Sequence, residues 1–246
     1  MNHLKNIVLK RKALLLLPLL MLGSKGMAQI GESRCDLAVG VNGGVTLDKI
    51  QFVPTIKQNF KLGKTFGASV RYTCEKYFKM ICALQAEVNY TELGWQELIE
   101  TSSDTYERTI SYVQIPLLAR LGFGREERGL QGYILLGPQL GFYLSDNEKR
   151  SGEFSTSTLL LRPNGVTQQY RLPIQNSFDY GITGGAGLEF STSVGHFMLD
   201  ARYNFSLSDI FHNTKQDPFG RSAHGAITAK LTYFFDIIKT KGAIRK

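Results

Sequence analysis

From Phe197 to Ser206 the chain alternates without a break. Phe197, Leu199, Ala201, Tyr203 and Phe205 occupy the odd positions, and Met198, Asp200, Arg202, Asn204 and Ser206 the even ones. Successive side chains of a strand point to opposite faces. One face of this segment is therefore apolar, and the other carries a carboxylate and a guanidinium at mid-strand. A single such segment also suits a soluble sandwich. The pattern recurs, however, over 37–47, 66–74, 81–91, 112–123, 133–144, 178–190, 196–206 and 223–235. Eight alternating segments of about ten residues are what a chain needs to cross a bilayer as strands.

The amino terminus supports export. Lys5, Lys10, Arg11 and Lys12 precede an apolar run, Ala13 to Leu22, that is too short to span a bilayer as a helix. Gly26-Met27-Ala28 places small residues at the cleavage-determining positions, so residues 1–28 read as a signal peptide and 29–246 as one domain. Cys35 follows Glu32-Ser33-Arg34, which is no lipoprotein signal. Residues 1–28 hold five of the cations and no acid, so a net charge of +8 falls to +3 on their removal. The argument for nucleic-acid binding falls with it.

The connections alternate in length. Asp48–Thr65, Glu92–Ser111, Ser145–Ser177 and Leu207–Ser222 are long, whereas Glu75–Met80, Gly124–Gly132 and Ser191–Gly195 are short. Short periplasmic turns and long extracellular loops are the rule for outer-membrane barrels. The expected fold is all-β, an eight-stranded antiparallel up-and-down transmembrane β-barrel. Both termini are expected in the periplasm, and strand eight is followed by a basic tail with Lys239, Lys241, Arg245 and Lys246. Aromatics fall at two levels: Tyr72, Phe123, Phe190, Phe197, Tyr233 and Phe235 at one rim, Phe66, Tyr90, Phe142, Phe178 and Phe205 at the other. Within the longest loop, Leu159 to Val166 reads as a hairpin around Pro163-Asn164-Gly165, projecting above the membrane. Pro116 and Pro138 fall inside strands and are read as bulges.

Eight strands make a ring whose interior side chains can fill. The inward positions include Arg71, Glu87, Arg120, Glu189, Asp200, Arg202 and Lys230, with Gln85, Asn89, Gln114 and Gln139. Charges in a dry interior persist only when paired. These residues form either a salt-bridged structural plug or a proton or ion relay. Gly181, Gly185 and Gly187 face inward and are expected to leave room for Arg202. Their run lacks the spacing and following helix of a nucleotide loop.

Chemistry is sparse. At the outer rim His212 and His224 have Asp179, Asp209 and Asp217 and Ser177, Ser206, Ser208 and Ser222 within sequence reach, but no nucleophile motif surrounds a serine. His196 belongs to the opposite rim. Cys35, Cys74 and Cys82 have no CxxC partner or metal-ligand spacing, and no obligatory bridge is expected. The glycosylation triplets at Asn89 and Asn204 lie inside strands. No catalytic residue, cofactor, metal or small-molecule substrate is inferred.

Tyr112-Val113-Gln114-Ile115-Pro116-Leu117-Leu118-Ala119-Arg120, followed by Tyr133-Ile134-Leu135-Leu136-Gly137-Pro138-Gln139-Leu140-Gly141, resembles the paired central strands of the PorT-type outer-membrane barrels of Bacteroidetes. Phe178 to Phe190, then Ala201 to Asn204 and Asp209 to Phe211, resembles the carboxy-terminal half of that family. The resemblance covers nearly the whole mature chain and includes the two prolines. It implies an accessory role in type IX protein secretion. Asp209 to Phe219, with Arg221 to His224, resembles that secretion branch more closely than a generic member would. The partners so implied are outer-membrane lipid and secretion-system components or other envelope proteins. A structural or adhesive surface barrel is the alternative, and a barrel enzyme a remote one.

Overall fold

The computed structural model describes residues 32–77, 80–124, 129–162 and 166–239. The signal segment 1–28, the Pro163-Asn164-Gly165 turn and the tail beyond Lys239 lie outside the described residues. The described strands are β1 (Glu32–Val53), β2 (Gln58–Asn59), β3 (Lys61–Tyr77), β4 (Met80–Glu97), β5 (Thr105–Gly124), β6 (Gly129–Ser151), β7 (Phe178–Ser191), β8 (His196–Ser206) and β9 (Arg221–Ile238). A short helix, α1 (Thr156–Leu160), lies between β6 and β7.

All pairings are antiparallel, in the order β4-β3-β1-β9-β8-β7-β6-β5. The order returns to its start because β4 also pairs with β5, from Met80 opposite Phe123 to Gln96 opposite Glu107. Each of the eight long strands therefore has two neighbours, which leaves no unpaired edge along the ring. The two-residue β2 extends the top of β4, with Gln58 opposite Glu97.

The alternation places the apolar residues outside. Phe197, Leu199 and Tyr203 are 45%, 58% and 48% exposed, whereas Met198, Asp200 and Arg202 between them are buried. Aromatic pairs mark two levels. Phe197–Tyr233 (4.7 Å) and Tyr233–Phe235 (4.4 Å) lie near the termini. Phe66–Tyr90 (5.1 Å) and Phe142–Phe178 (5.4 Å) lie toward the loops. Along β8, Phe197 and Phe205 are separated by eight steps of about 3.3 Å, which at a tilt of about 40° cover roughly 20 Å.

Five strands run well past the upper aromatics. β1 continues to Val53, β3 begins at Lys61, β4 ends at Glu97, β5 begins at Thr105 and β6 ends at Ser151. The loops between them are correspondingly shorter than the alternation suggested. The reason is that the inward positions become apolar again above the polar stretch. In β1, Thr46 and Asp48 are followed on the same face by Ile50 and Phe52, both buried. In contrast, β7 and β8 stop at the upper aromatic level, so the wall is high on one side and low on the other.

The low side is closed by loops that fold inward. Phe211, Phe219 and Val166 join Ile50, Phe52, Leu93, Trp95, Tyr106, Ile110 and Tyr112 in one buried cluster. Where the first arm of the hairpin over 159–166 was expected, Thr156–Leu160 is helical; the Pro163-Asn164-Gly165 turn itself lies outside the described residues. Ser155 caps α1 through its side chain, and Arg162 then turns into the molecule. The Arg162 guanidinium meets Asp104 at 2.6 Å, with both side chains 2% exposed, and also bonds Ser102 and Tyr170. A buried ion pair thus anchors the segment at Arg162.

The prolines are also corrected. The register runs unchanged through Pro116 opposite Gln139 and through Pro138 opposite Ile182. Each proline removes a donor without adding a residue. The irregularities lie elsewhere, between Ser111 and Tyr112, between Thr73 and Glu75, and near the start of β1. Cys74 falls in the second of these, and its Sγ lies 3.6 Å from the Tyr72 carbonyl oxygen. Cys82 is unbridged.

The Asp104–Arg162 clasp sets a pH dependence. The hydrogen bond from Arg162 holds the Asp104 carboxyl below the usual aspartate range. A depressed carboxyl stabilises the fold above its unfolded value, and that contribution is lost as pH falls through the folded one. Burial pushes the nearby Glu97 carboxyl up, which acts with the opposite sign. The comparison is therefore made against Asp104→Asn. Hydrogen exchange of 152–172 should rise below about pH 4 in the native chain. In Asp104→Asn it should already be fast at neutral pH and change little with acid.

Candidate functional site

The polar interior is organised around two glutamates, each on its own strand. Glu87 of β4 accepts from Arg202 of β8 (2.9 Å) and Lys230 of β9 (2.6 Å), and from the amides of Gln85 (2.7 Å) and Asn89 (2.9 Å). Glu189 of β7 accepts from Arg71 of β3 (2.8 Å) and from Arg120 of β5. Arg202 is shared with Asp200 at 2.5 Å, and the Tyr133 hydroxyl donates to Asp200 at 3.2 Å. Seven charged side chains from six strands thus form two linked groups, all at most 5% exposed.

Two of these pairs cross the full ring. β3 and β7 are four places apart in the order of eight, as are β4 and β8. Arg71–Glu189 and Glu87–Arg202 are therefore diametric ties. Only long side chains can make them, and only across a ring this narrow. Arg71 also lies 4.7 Å over the Phe234 ring, and Arg120 4.3 Å over Tyr133. Around them Ala38, Leu118, Leu135 and Met198 complete a small apolar cluster with Tyr133 and Phe234.

The glycines of β7 fit this packing, with one correction. A Cβ at Gly185 would clash with the backbone of Ala201 and Arg202, so this position does serve the approach of the β8 strand. The space at Gly187 is instead filled by the Tyr133 hydroxyl and ring, not by Arg202.

Toward the loops lies a third polar group. His224 Nδ1 is 2.6 Å from Asp48 Oδ2, and Nε2 is 3.3 Å from the Tyr112 hydroxyl. The Gly94 N–H donates to the same Asp48 oxygen at 2.8 Å. The alternation alone puts Asp48 at the start of a loop. Its parity with Thr46 and Ile50 was the signal that β1 continues past it. Above this group Arg108 bonds Asp146 at 2.7 Å and donates to the Leu172 carbonyl at 2.6 Å, which ties the inward loop to the wall.

The rim residues weighed for catalysis do not converge. His212 is exposed. Asp179 accepts from Ser206 and Ser208, and Asp209 from the Ser222 N–H at 2.6 Å. Asp217 accepts from Thr214. His196, at the opposite end, is the histidine that meets a serine: Nδ1 is 2.9 Å from Ser191 Oγ and Nε2 is 3.0 Å from Asp236. The same Nδ1 lies 2.8 Å from Glu189. The two ring nitrogens thus face Glu189 and Asp236, and Ser191 lies beside the first of these contacts, away from the outer rim.

A strand ring with an apolar outer band and a polar, ion-paired interior is the architecture of an outer-membrane barrel. The family model of the outer membrane protein beta-barrel domain matches residues 27–212, and the chain belongs to that family. No curated protein matches the chain. Among solved structures, OprG from Pseudomonas aeruginosa is 10% identical, with 83% of this chain and 98% of that one covered and a TM-score of 0.45. The N-terminal β-barrel domain of Pseudomonas aeruginosa OprF is 13% identical, covering 85% and 100%, with a TM-score of 0.36. Ail of Yersinia pestis, solved with the heparin analogue sucrose octasulfate, is 13% identical, covering 81% and 99%, also with a TM-score of 0.36. At such low identity and TM-score these likenesses assign no activity.

Breaking the Glu87 node tests the interior directly. Glu87→Ala leaves Arg202 with Asp200 alone and Lys230 without its acceptor. The unfolding free energy of the protein in bilayers should drop by about 3–5 kcal/mol, the usual cost of an uncompensated buried charge. A loss under about 1 kcal/mol would mean that the network carries no structural load.

Proposed function

We propose that the ring is a closed eight-stranded barrel in the outer membrane, exported by its amino-terminal segment and sealed along its axis. The short turns and both termini face the periplasm, and the folded loops form an extracellular cap. The observation that carries this reading is the filled interior. The two glutamate nodes tie opposite walls, and the aromatic cluster closes the loop end. Arg71, Glu87, Arg120, Glu189, Asp200, Arg202 and Lys230 then form a structural plug.

A sealed barrel acts through its surfaces. We read it as an accessory of type IX secretion, working by protein–protein contacts. The support for that finer role is the resemblance of its central and carboxy-terminal strands to the PorT-type barrels. The contact regions in this reading are the extracellular cap and the basic tail that begins at Lys239.

Deleting the gene tests the role. Cargo carrying the carboxy-terminal secretion signal should accumulate in the periplasm, and His212→Ala should restore secretion as well as the native gene does. Normal cargo release by the deletion strain would rule out the secretion role and leave a surface barrel.

A further inference from the structure

The chain has three cysteines, at spacings that suggest no bridge, and strand pairing brings all three to one place. On one side of β3, Thr73 is opposite Ala83 of β4 and Glu75 opposite Cys82, so Cys74 is the extra residue of a bulge. On the other side, Thr73 is opposite Asp36 of β1 and Glu75 opposite Ser33, so Arg34 and Cys35 fall against Cys74. The strands β4, β3 and β1 adjoin in the ring, and each carries a cysteine at its turn end.

Tyr72 and Leu84 are opposite each other and both face out, 40% and 59% exposed. Cys74 and Cys82 are the next outward positions of the same two strands, and both are half-buried. A bulge sets two residues of one strand against a single residue of the other, so Cys74 and Glu75 share Cys82 as their neighbour. Opposed residues of antiparallel strands have Cα atoms about 4.5–5.5 Å apart. That lies inside the range of about 4.4–6.8 Å that a disulfide spans. The Cys74 Sγ is 3.6 Å from the Tyr72 carbonyl oxygen, a weak thiol contact that a covalent bond outweighs. Cys82 is the favoured partner over Cys35. Cys74 and Cys82 belong to one hairpin and close a short loop, and the entropy cost of closure grows with loop length.

We propose that Cys74 and Cys82 are a disulfide site, joined across the bulge once β3 and β4 have paired. The inference rests on the reading above that this end of the ring faces the periplasm, where disulfides persist. As the sulfur–sulfur bond forms, the two thiols lose two protons and two electrons. The disulfide of a periplasmic thiol oxidoreductase takes them up. One thiolate of the pair attacks a sulfur of that disulfide, the second resolves the mixed disulfide, and the oxidoreductase leaves as a dithiol. The bond ties β3 to β4 where the bulge interrupts their ladder, and Cys35 remains a thiol.

The test compares mature protein from cell envelopes with mature protein refolded, reduced, into phosphatidylcholine bilayers and then equilibrated with oxidised glutathione. Thiols are trapped by alkylation in acid, and peptides are mapped by mass spectrometry without reduction. In both samples a Cys74–Cys82 link should be present in most molecules, with Cys35 alkylated. Cys35→Ser should keep the link, and a strain lacking the periplasmic thiol oxidoreductase should lower it at least five-fold. A dominant Cys35–Cys74 link, or three alkylated cysteines in the oxidised refolded protein, overturns the assigned pair. A link in the refolded protein beside three alkylated cysteines in protein from cells, with the chain outside the envelope fraction, overturns the periplasmic reading and the proposal with it.

Discussion

The rest of the structure depends on the pairing of β4 with β5. In hydrocarbon, an unpaired backbone N–H or C=O costs several kcal/mol, so a sheet can sit there only if it has no edge. Joining Met80–Gln96 to Glu107–Phe123 gives every long strand two neighbours. It also fixes the ring at eight, which is narrow enough for an arginine on one wall to reach a glutamate on the opposite one. The charged interior follows from that closure. Arg71 and Glu189 are 118 residues apart in the chain and 2.8 Å apart across the ring.

The same closure explains why the charges persist. A buried pair gains little over apolar packing of similar volume, but a buried charge without its partner is costly. Each interior cation here has a carboxylate, and each glutamate has at least two cationic or amide donors. The arrangement selects one register. A one-residue slip of any strand would turn its charged set toward lipid and its apolar set inward. The buried ions thereby specify the pairing even where they add little stability.

Much of this was legible in the sequence. Period-two alternation located all eight long strands, and β8 matches its expected bounds, His196–Ser206, at both ends. It also set which side chains of β8 face outward. The upper extensions were not legible, because above the upper aromatics the inward positions of β1, β4 and β5 turn apolar and the binary pattern loses contrast. Trp95, Tyr106 and Phe52 look like loop hydrophobics until the inward-folded segments at Phe211 and Phe219 are known to cover them. The interior network was readable residue by residue, since parity alone assigns Glu87 and Arg202 to the same side. Its connectivity was not, because partners more than a hundred residues apart depend on ring closure. Asp48, Ser191 and Asp236 were missed for a simpler reason: each sits at a point taken as the boundary of a strand.

The account stands on a sealed axis. Single-channel recording of the purified, refolded protein in planar bilayers tests it most directly. Glutamate nodes below and an aromatic cap above predict a silent bilayer, with no steady conductance step at any holding potential the membrane tolerates. Long-lived, porin-sized openings would contradict the account.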